Sequence, residues 1–330
     1  MQHNARVEPG SSTVRVSRSA GDVRPFLKWA GGKRQLLPRL RRFYPAQFRT
    51  YFEPFVGSGA VFFDLFNLGL LEGHGAVLLD NNPDLVGCFL IVRERVETLI
   101  RRLKRLATER QEDAKRHYYD VRDRRFNPMR EKIAGGNGAV ADRYTPDLAA
   151  MLIYLNRTGF NGLFRLNARG LFNVPIGRYA NPQICDAANL RRVARALSTS
   201  RAHVLQADFS HVLTGAKAGD FLYFDPPYAP LSATALFTSY TAGGFGEQEQ
   251  VRLQRTVIAL AARGCHVLLS NSTAPLIQRL YDANREAEKV GLRAYRIPAK
   301  RAINSDASAR GQVLEYLITN VPERAGNREQ

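Results

Sequence analysis

The chain has 330 residues and carries 48 Lys and Arg against 30 Asp and Glu, a formal net charge of +18. That length buries one large domain with an insertion, or two domains, and a basic excess made almost wholly of arginine suits phosphates and guanine edges, so a polyanionic partner is expected. Three widely spaced cysteines and six scattered histidines give neither a disulfide framework nor zinc-ligand spacing, so no metal is expected; no apolar run reaches membrane-span length and the N-terminus lacks a signal-peptide core, which points to a reducing cytoplasm.

In chain order, residues 1–24 are rich in Ser, Arg and Gly without apolar periodicity and read as a disordered arm. Thr50-Tyr51-Phe52 predicts a strand, Glu53 to Gly59 a loop, Ala60 to Gly69 an apolar helix and Ala76 to Leu79 a second strand ending at Asp80. This β-loop-α-β-acid unit opens a doubly wound sheet. From Asp84 to Arg125 the stripe of Leu85, Phe89, Val92, Val96, Leu99, Leu103 and Leu106 predicts helix, and is read as core. Asn127 to Asp142 predicts a Gly-rich loop, Thr145-Pro146-Asp147 a helix start running through Ile153, and Pro182 to Ala196 a further helix. Strands are predicted at Ala202 to Gln206, Phe221 to Phe224, His266 to Ser270 and Val313 to Thr319, with a helix from Glu247 to Arg263 and a frayed end from Pro322. The fold class is α/β: a doubly wound, mostly parallel sheet from residues 25–83 and 200–321, interrupted by a mostly helical insertion at 84–199.

The chemistry concentrates at strand ends. Asp225-Pro226-Pro227-Tyr228 follows the apolar run Phe221 to Phe224, where open α/β sheets carry their sites. The prolines keep the chain extended and donate no hydrogen bonds, so Asp225 and the Pro226 carbonyl suit the two hydrogens of a planar exocyclic amine, with Tyr228 beneath its ring. The alternative is an ordinary Asp-Pro surface turn. Gly57-Ser58-Gly59 between strand and helix permits close ligand approach, and Asp80 suits ribose hydroxyls. Phe62 stands where a dinucleotide motif needs its third glycine, and Glu53-Pro54-Phe55 is foreign to that motif. A nucleoside cofactor without phosphates, S-adenosylmethionine, fits better than a nicotinamide dinucleotide. Trp29, the only tryptophan, is either plain core or a wall of that cofactor site, with Lys33 facing the cofactor's carboxylate.

Several ordered blocks carry a family resemblance: FLKWAGGK at Phe26 to Lys33, EPFVGSG at Glu53 to Gly59, LLDNN around Asp80, YLNRTGFNGLFRLNARGLFNVPIGRY at Tyr154 to Tyr179, DPPYAPLSATALFTSY at Asp225 to Tyr240 and LLSNS at Leu268 to Ser272. From about Pro25 to Thr319 the chain resembles the Dam-type DNA adenine N6-methyltransferases, which place the cofactor motif first, then a target-recognition insertion, then the catalytic motif. The resemblance implies that Trp29, Lys33, Phe55, Gly57, Asp80 and Asp225 contact S-adenosylmethionine or the reacting centre. Asp208 is similar to the family's adenine-binding acid, and a helix-capping role is the alternative. Tyr228 stacks on the extruded adenine and Lys28 helps to read the first guanine of the target.

Residues 156–182 look like the family's DNA-reading hairpin. Arg165, Arg169 and Arg178 suit guanine edges or phosphates, Asn161 an adenine or orphaned base, Leu163 and Pro175 a thymine methyl, and Phe160 a wedge in the base stack. Where the family often has Tyr, this chain has Phe160 and Thr158, which removes any contact made by those phenolic hydroxyls. The implied target is GATC in double-stranded DNA, with Arg165 reading the last guanine, by an enzyme acting as a monomer or weak dimer without an obligatory protein partner, associated with the nucleoid. The alternative is an adenine N6-methyltransferase of the same type with another target site, as in restriction-modification; more remotely, an RNA or protein N-methyltransferase has little use for the hairpin, and a non-catalytic DNA-binding module none for Asp80 and Asp225.

Overall fold

The computed structural model describes residues 21–134, 143–231, 245–300 and 312–324. Seven strands, β1 (Thr50–Glu53), β2 (Gly75–Asp80), β3 (Ala202–Gln206), β4 (Phe221–Phe224), β5 (His266–Ser272), β6 (Arg293–Lys300) and β7 (Gln312–Thr319), form one sheet in the order β3-β2-β1-β4-β5-β7-β6. The first five are parallel, and β7 runs antiparallel between β5 and β6. The expected doubly wound, mostly parallel sheet is therefore present. Its order reverses between β1 and β4, and the carboxyl ends of the strands flanking such a reversal open a crevice that no crossover helix fills.

The central strands are apolar without alternation because both faces are covered. Tyr51, Leu78, Phe221, Tyr223 and Leu268 point to one side, where they share a core with α1 (Ala60–Asn67), α2 (Pro83–Glu109), α5 (Pro146–Thr158) and α6 (Ala187–Thr199). Phe52, Leu79, Leu222, Phe224 and Leu269 point to the other, against Leu253, Val257 and Leu260 of α7 (Glu247–Ala262). Residues 84–199 thus bury their apolar stripe in the same cluster as the strands.

Several boundaries move, each for a local reason. Val23 is already packed, exchanging backbone hydrogen bonds of 2.9 Å with the Asn67 side chain, so the ordered body begins before Pro25; the rest of the predicted arm, residues 1–20, lies outside the described residues. The helical stretch from Asp84 divides into α2, with non-helical backbone at Arg95, α3 (Ala114–Tyr119) capped by Asp113, and a π-helical run at Asp120–Phe126. Helix α4 (Asn127–Ala134) continues the π-helical run without a break where a loop is predicted. The Asn127 amide pairs both ways with the Phe172 backbone, and Met129 and Ile133 pack on the core. The glycines that suggest a loop fall largely in residues 135–142, outside the described residues. Helix α5 continues past Ile153 to Thr158, and α6 starts at Ala187 because Asp186 accepts the Asn189 N–H at 3.1 Å. Strand β6 is unpredicted because its charges and Pro298 read as a breaker, yet it lies at the sheet edge, where proline is tolerated. Residues 322–324 are not frayed, since the Arg324 N–H donates to the Arg42 carbonyl at 2.8 Å. Cys88 and Cys265 are buried and Cys185 is half-buried, all three as free thiols.

Gly87 of α2 lies so close to the Tyr144 ring that an added Cβ would overlap it. Gly87→Ala is therefore expected to destabilise the protein by about 1–3 kcal/mol, despite a helix-propensity gain of about 1 kcal/mol, and to lower the midpoint of denaturant unfolding.

Candidate active site

Strands β1, β2 and β4 end together beside the reversal in strand order. After β1, Glu53 is 2 % exposed and accepts the Tyr51 hydroxyl at 2.8 Å and the Phe62 N–H, in the first turn of α1, at 3.1 Å. Burial pushes this carboxyl up to about 8, so it is neutral at pH 7 and serves as a helix cap holding the glycine loop. Gly57 has φ +48, and a Cβ there would lie 3.2 Å from the Trp29 ring. Its N–H donates to Asp80 at the end of β2 at 3.2 Å, and the Asn82 N–H donates to the other oxygen at 3.0 Å. Those backbone donors only partly offset desolvation, and Asp80 titrates near 6.

After β4, Asp225 is the centre of a buried ion pair. The Lys33 ammonium lies 2.8 Å from Oδ1, with side-chain exposures of 8 % for Lys33 and 19 % for Asp225, and the Ser270 hydroxyl donates to the same oxygen at 3.1 Å. Burial raises the Asp225 carboxyl above its ordinary value, while Lys33 and Ser270 pull it back. Both partners use Oδ1; among the described residues nothing donates to Oδ2 or to the carbonyl of buried Pro226. The Lys33 ammonium also sits 4.3 Å from the centroid of the Tyr228 ring, whose hydroxyl donates to Glu315 of β7 at 2.8 Å.

The loop after β4 is held from beneath by a polar relay that the sequence does not announce. Gln250 of α7 donates to the Pro227 carbonyl at 2.9 Å, Asn271 donates to Gln250 at 3.0 Å, and the Ala229 N–H donates to Asn271 at 3.2 Å. Gln250 and Asn271 are fully buried. The one available signal is the Ser-Asn-Ser run closing an otherwise apolar strand, β5. Glu315 carries no comparable signal, being a single acid on an alternating strand.

The remaining predicted residues fall in two neighbourhoods. Phe55 stacks on Phe209 with centroids 5.4 Å apart, and the Arg252 guanidinium covers Phe209 at 4.2 Å. Arg252 also binds both oxygens of Asp208 at 2.7 Å and holds its carboxyl down near 2. Asp208 caps the following turn through Ser210 N–H as well, so its capping role is realised alongside an ion pair that the sequence does not suggest. On the other side, residues 156–182 fold back through the bridges Gly159 to Ile176 and Leu166 to Phe172. Phe160 is 49 % exposed, an unusual placement for its ring. Asn161, Arg165, Arg169, Pro175 and Arg178 are exposed, and Leu163 is half-buried against the core. Arg165 donates to the Asn173 side chain at 2.8 Å. Trp29 stacks on Phe164 at 5.5 Å and Lys28 covers Tyr179 at 4.3 Å. A cleft of about 490 Å³ between hairpin and glycine loop is lined by Lys28, Trp29, Gly32, Ser58, Arg157 and Asn161. The structure thus joins Lys33, Asp225 and Tyr228 directly, and Trp29, Gly57 and Asp80 in a chain of contacts, while Arg169 and Arg178 stand apart at the hairpin surface.

Residues 29–295 match the family model for D12 class N6 adenine-specific DNA methyltransferases. The chain belongs to that family. It is 37 % identical over 300 residues to the type II methyltransferase M1.LlaDCHI of Lactococcus lactis, covering 91 % of this chain and 96 % of the relative. It is 38 % identical over 310 residues to the type II methyltransferase M.MjaIII of Methanocaldococcus jannaschii, covering 91 % and 99 %. The DNA adenine methylase of Escherichia coli K12 is 32 % identical over 299 residues, covering 91 % and 96 %. Among solved structures an rRNA methyltransferase of Streptomyces viridochromogenes aligns over 90 % of each chain at 15 % identity and a TM-score of 0.32, so the strand order, not that likeness, carries the fold assignment. This D12 class enzyme is an adenine-specific DNA methyltransferase.

Lys33 is the only cation on Asp225 among the described residues. Lys33→Met removes the charge that favours the carboxylate, so the acidic limb of the kcat profile is expected to move to higher pH and turnover at neutral pH to fall; a pH series of methyl transfer in both proteins measures the shift.

Proposed function

We propose that this methyltransferase takes its methyl group from S-adenosylmethionine and places it on N6 of an adenine rotated out of duplex DNA, within GATC. The supporting observation is the Asp225 corner: a carboxylate fixed by Lys33 and Ser270 through one oxygen, with the other oxygen and the Pro226 carbonyl left as acceptors.

The cofactor's fit rests on Asp80. Its carboxylate is nearly buried and satisfied only by backbone N–H groups, and no cation offsets it among the described residues, so ribose hydroxyls would complete its hydrogen bonding. Gly57 keeps the wall beside Trp29 thin, and Phe55 with Phe209 offers aromatic surface for a purine. Asp208 could reach that purine's amine only by sharing an oxygen with Arg252. When bound, S-adenosylmethionine supplies an electrophilic methyl on a sulfonium. The protein's part is orientation. Asp225 Oδ2 and the Pro226 carbonyl accept the two N6 hydrogens, which turns the nitrogen lone pair toward the methyl; Tyr228, fixed at its hydroxyl by Glu315, supports the base by stacking. Lys33 opposite favours the charged form of Asp225, and the N6 proton lost after transfer passes to it or to water. No covalent intermediate is required.

Residues 84–199 act as the target-recognition part on this reading, with the hairpin at 156–182 entering the major groove. Phe160 fills the space left by the adenine, Asn161 meets its former partner, and Lys28 and Arg165 read the two guanines. The net charge of +18 supports duplex binding in the nucleoid, by a monomer or weak dimer. No described helix is long and apolar enough to cross a membrane.

Three outcomes are expected. Incubation with unmethylated DNA and S-adenosylmethionine protects GATC from a nuclease blocked by adenine methylation; protection at other adenines alone would overturn the target and keep the chemistry. Asp225→Asn, which keeps a polar partner beside the Lys33 ammonium, lowers turnover about a hundredfold to a thousandfold in a protein that still folds, and near-normal turnover would remove Asp225 from this role. Because Asp80 titrates near 6 and accepts hydroxyl donors more strongly, and through both oxygens, when ionised, binding of the unreactive analogue sinefungin weakens as pH falls through that value; calorimetry across the range, with Asp80→Asn losing the dependence, checks it.

A further inference from the structure

Asn156, in the last turn of α5, is 2 % exposed and spends its whole side-chain amide on two distant backbones. Its Oδ1 accepts the Lys28 N–H at 2.8 Å, while Nδ2 donates to the Lys28 carbonyl at 2.8 Å and to the Gly162 carbonyl at 2.8 Å. One amide thus grips Lys28 as a neighbouring strand would and pins the first turn of the hairpin to it. The surroundings tighten the same joint. Arg157 donates to the Phe26 carbonyl at 2.7 Å, Trp29 stacks on Phe164, and Lys28 covers Tyr179. Gly162, at φ +65, lies so close to the Lys28 side chain that any Cβ would collide with it.

The segment that begins in this joint ends at the reacting centre. Five residues beyond Lys28, Lys33 holds Asp225 at 2.8 Å and faces the Tyr228 ring. A short stretch of chain therefore has one end fixed to the hairpin and the other to the catalytic carboxylate. Closely packed joints have discrete arrangements, so displacing one end shifts the other.

We propose that Asn156 is a positioning residue that couples recognition of the target sequence to methyl transfer, by tying the hairpin to the segment through which Lys33 sets Asp225. This rests on the reading that the hairpin contacts DNA. A duplex that seats the hairpin correctly sets the segment, and hence Asp225, for transfer; one with a wrong base pair leaves it unset. Discrimination then appears in kcat as well as in binding. Asn156 touches neither the corner of Asp225 nor Asp80.

Trp29 lies inside the segment and is the chain's only tryptophan, so its fluorescence reports the segment's state without a label. With sinefungin bound, a duplex carrying the methylated site is expected to change Trp29 emission in the wild type, and one with a single flanking base pair altered is not. In Asn156→Ala the two duplexes give the same response, and the ratio of kcat on the two sites shrinks about tenfold, within the usual range of coupling between sites. Should Asn156→Ala not fold, Tyr179→Leu, which loosens the joint from its surface side, reduces the same ratio by a smaller factor. A folded Asn156→Ala, or failing that Tyr179→Leu, with the wild-type kcat ratio and wild-type Trp29 responses overturns the coupling. A wild type that methylates no duplex overturns instead the reading on which it rests.

Discussion

The site depends on one buried ion pair, Lys33 with Asp225. A carboxylate in that position loses hydration, and burial alone would raise its pKa and favour its neutral form. The ammonium and the Ser270 hydroxyl favour its charged form while occupying a single oxygen. Much of the nearby architecture follows from this need. Lys33 must be delivered from a segment far away in sequence, its other contact is an aromatic face that needs no hydrogen bond, and the loop carrying Tyr228 is fixed by Gln250, Asn271 and Glu315.

Three neighbouring acids show how environment divides labour among like groups. Burial raises all three. Glu53 lacks a cation and is neutral at pH 7, which lets it cap α1 inside the core. Asp80, with backbone donors, titrates near 6 and keeps lone pairs for a ligand. Asp225 alone receives a full positive charge. The reversal of strand order between β1 and β4 places all three at the carboxyl ends of neighbouring strands, so one end of the sheet carries acids with three different protonation behaviours.

Residues 84–199 are not a loosely hung appendage. Their helices bury Leu85, Phe89, Leu99 and Leu103 in one cluster with Tyr51 and Phe221 of the strands, so the hairpin is mounted on the core that carries the reacting groups. What it presents outward is a half-exposed Phe160 and a row of arginines.

The sequence by itself determined the α/β class, the strands β1 to β5 and β7, and the tetrapeptide, glycine loop and acid at their ends, because these are local: an apolar run of strand length stopped by a turn or a charge. It also placed the family, since ordered motifs survive where pairwise contacts cannot be read. Only the tertiary structure decided which groups meet. Lys33 reads as a contact of the cofactor or the reacting centre, and its partner is Asp225; Asp208 reads as a binding acid or a cap, and it caps the following turn while Arg252 holds both its oxygens. Helix α4 forms where a loop is predicted, with Asn127 bonded to Phe172, and β6 tolerates proline because it lies at an edge. Each of these turns on a partner tens of residues or more away, and the pairing of distant side chains is fixed by how helices and strands pack, which no local pattern encodes.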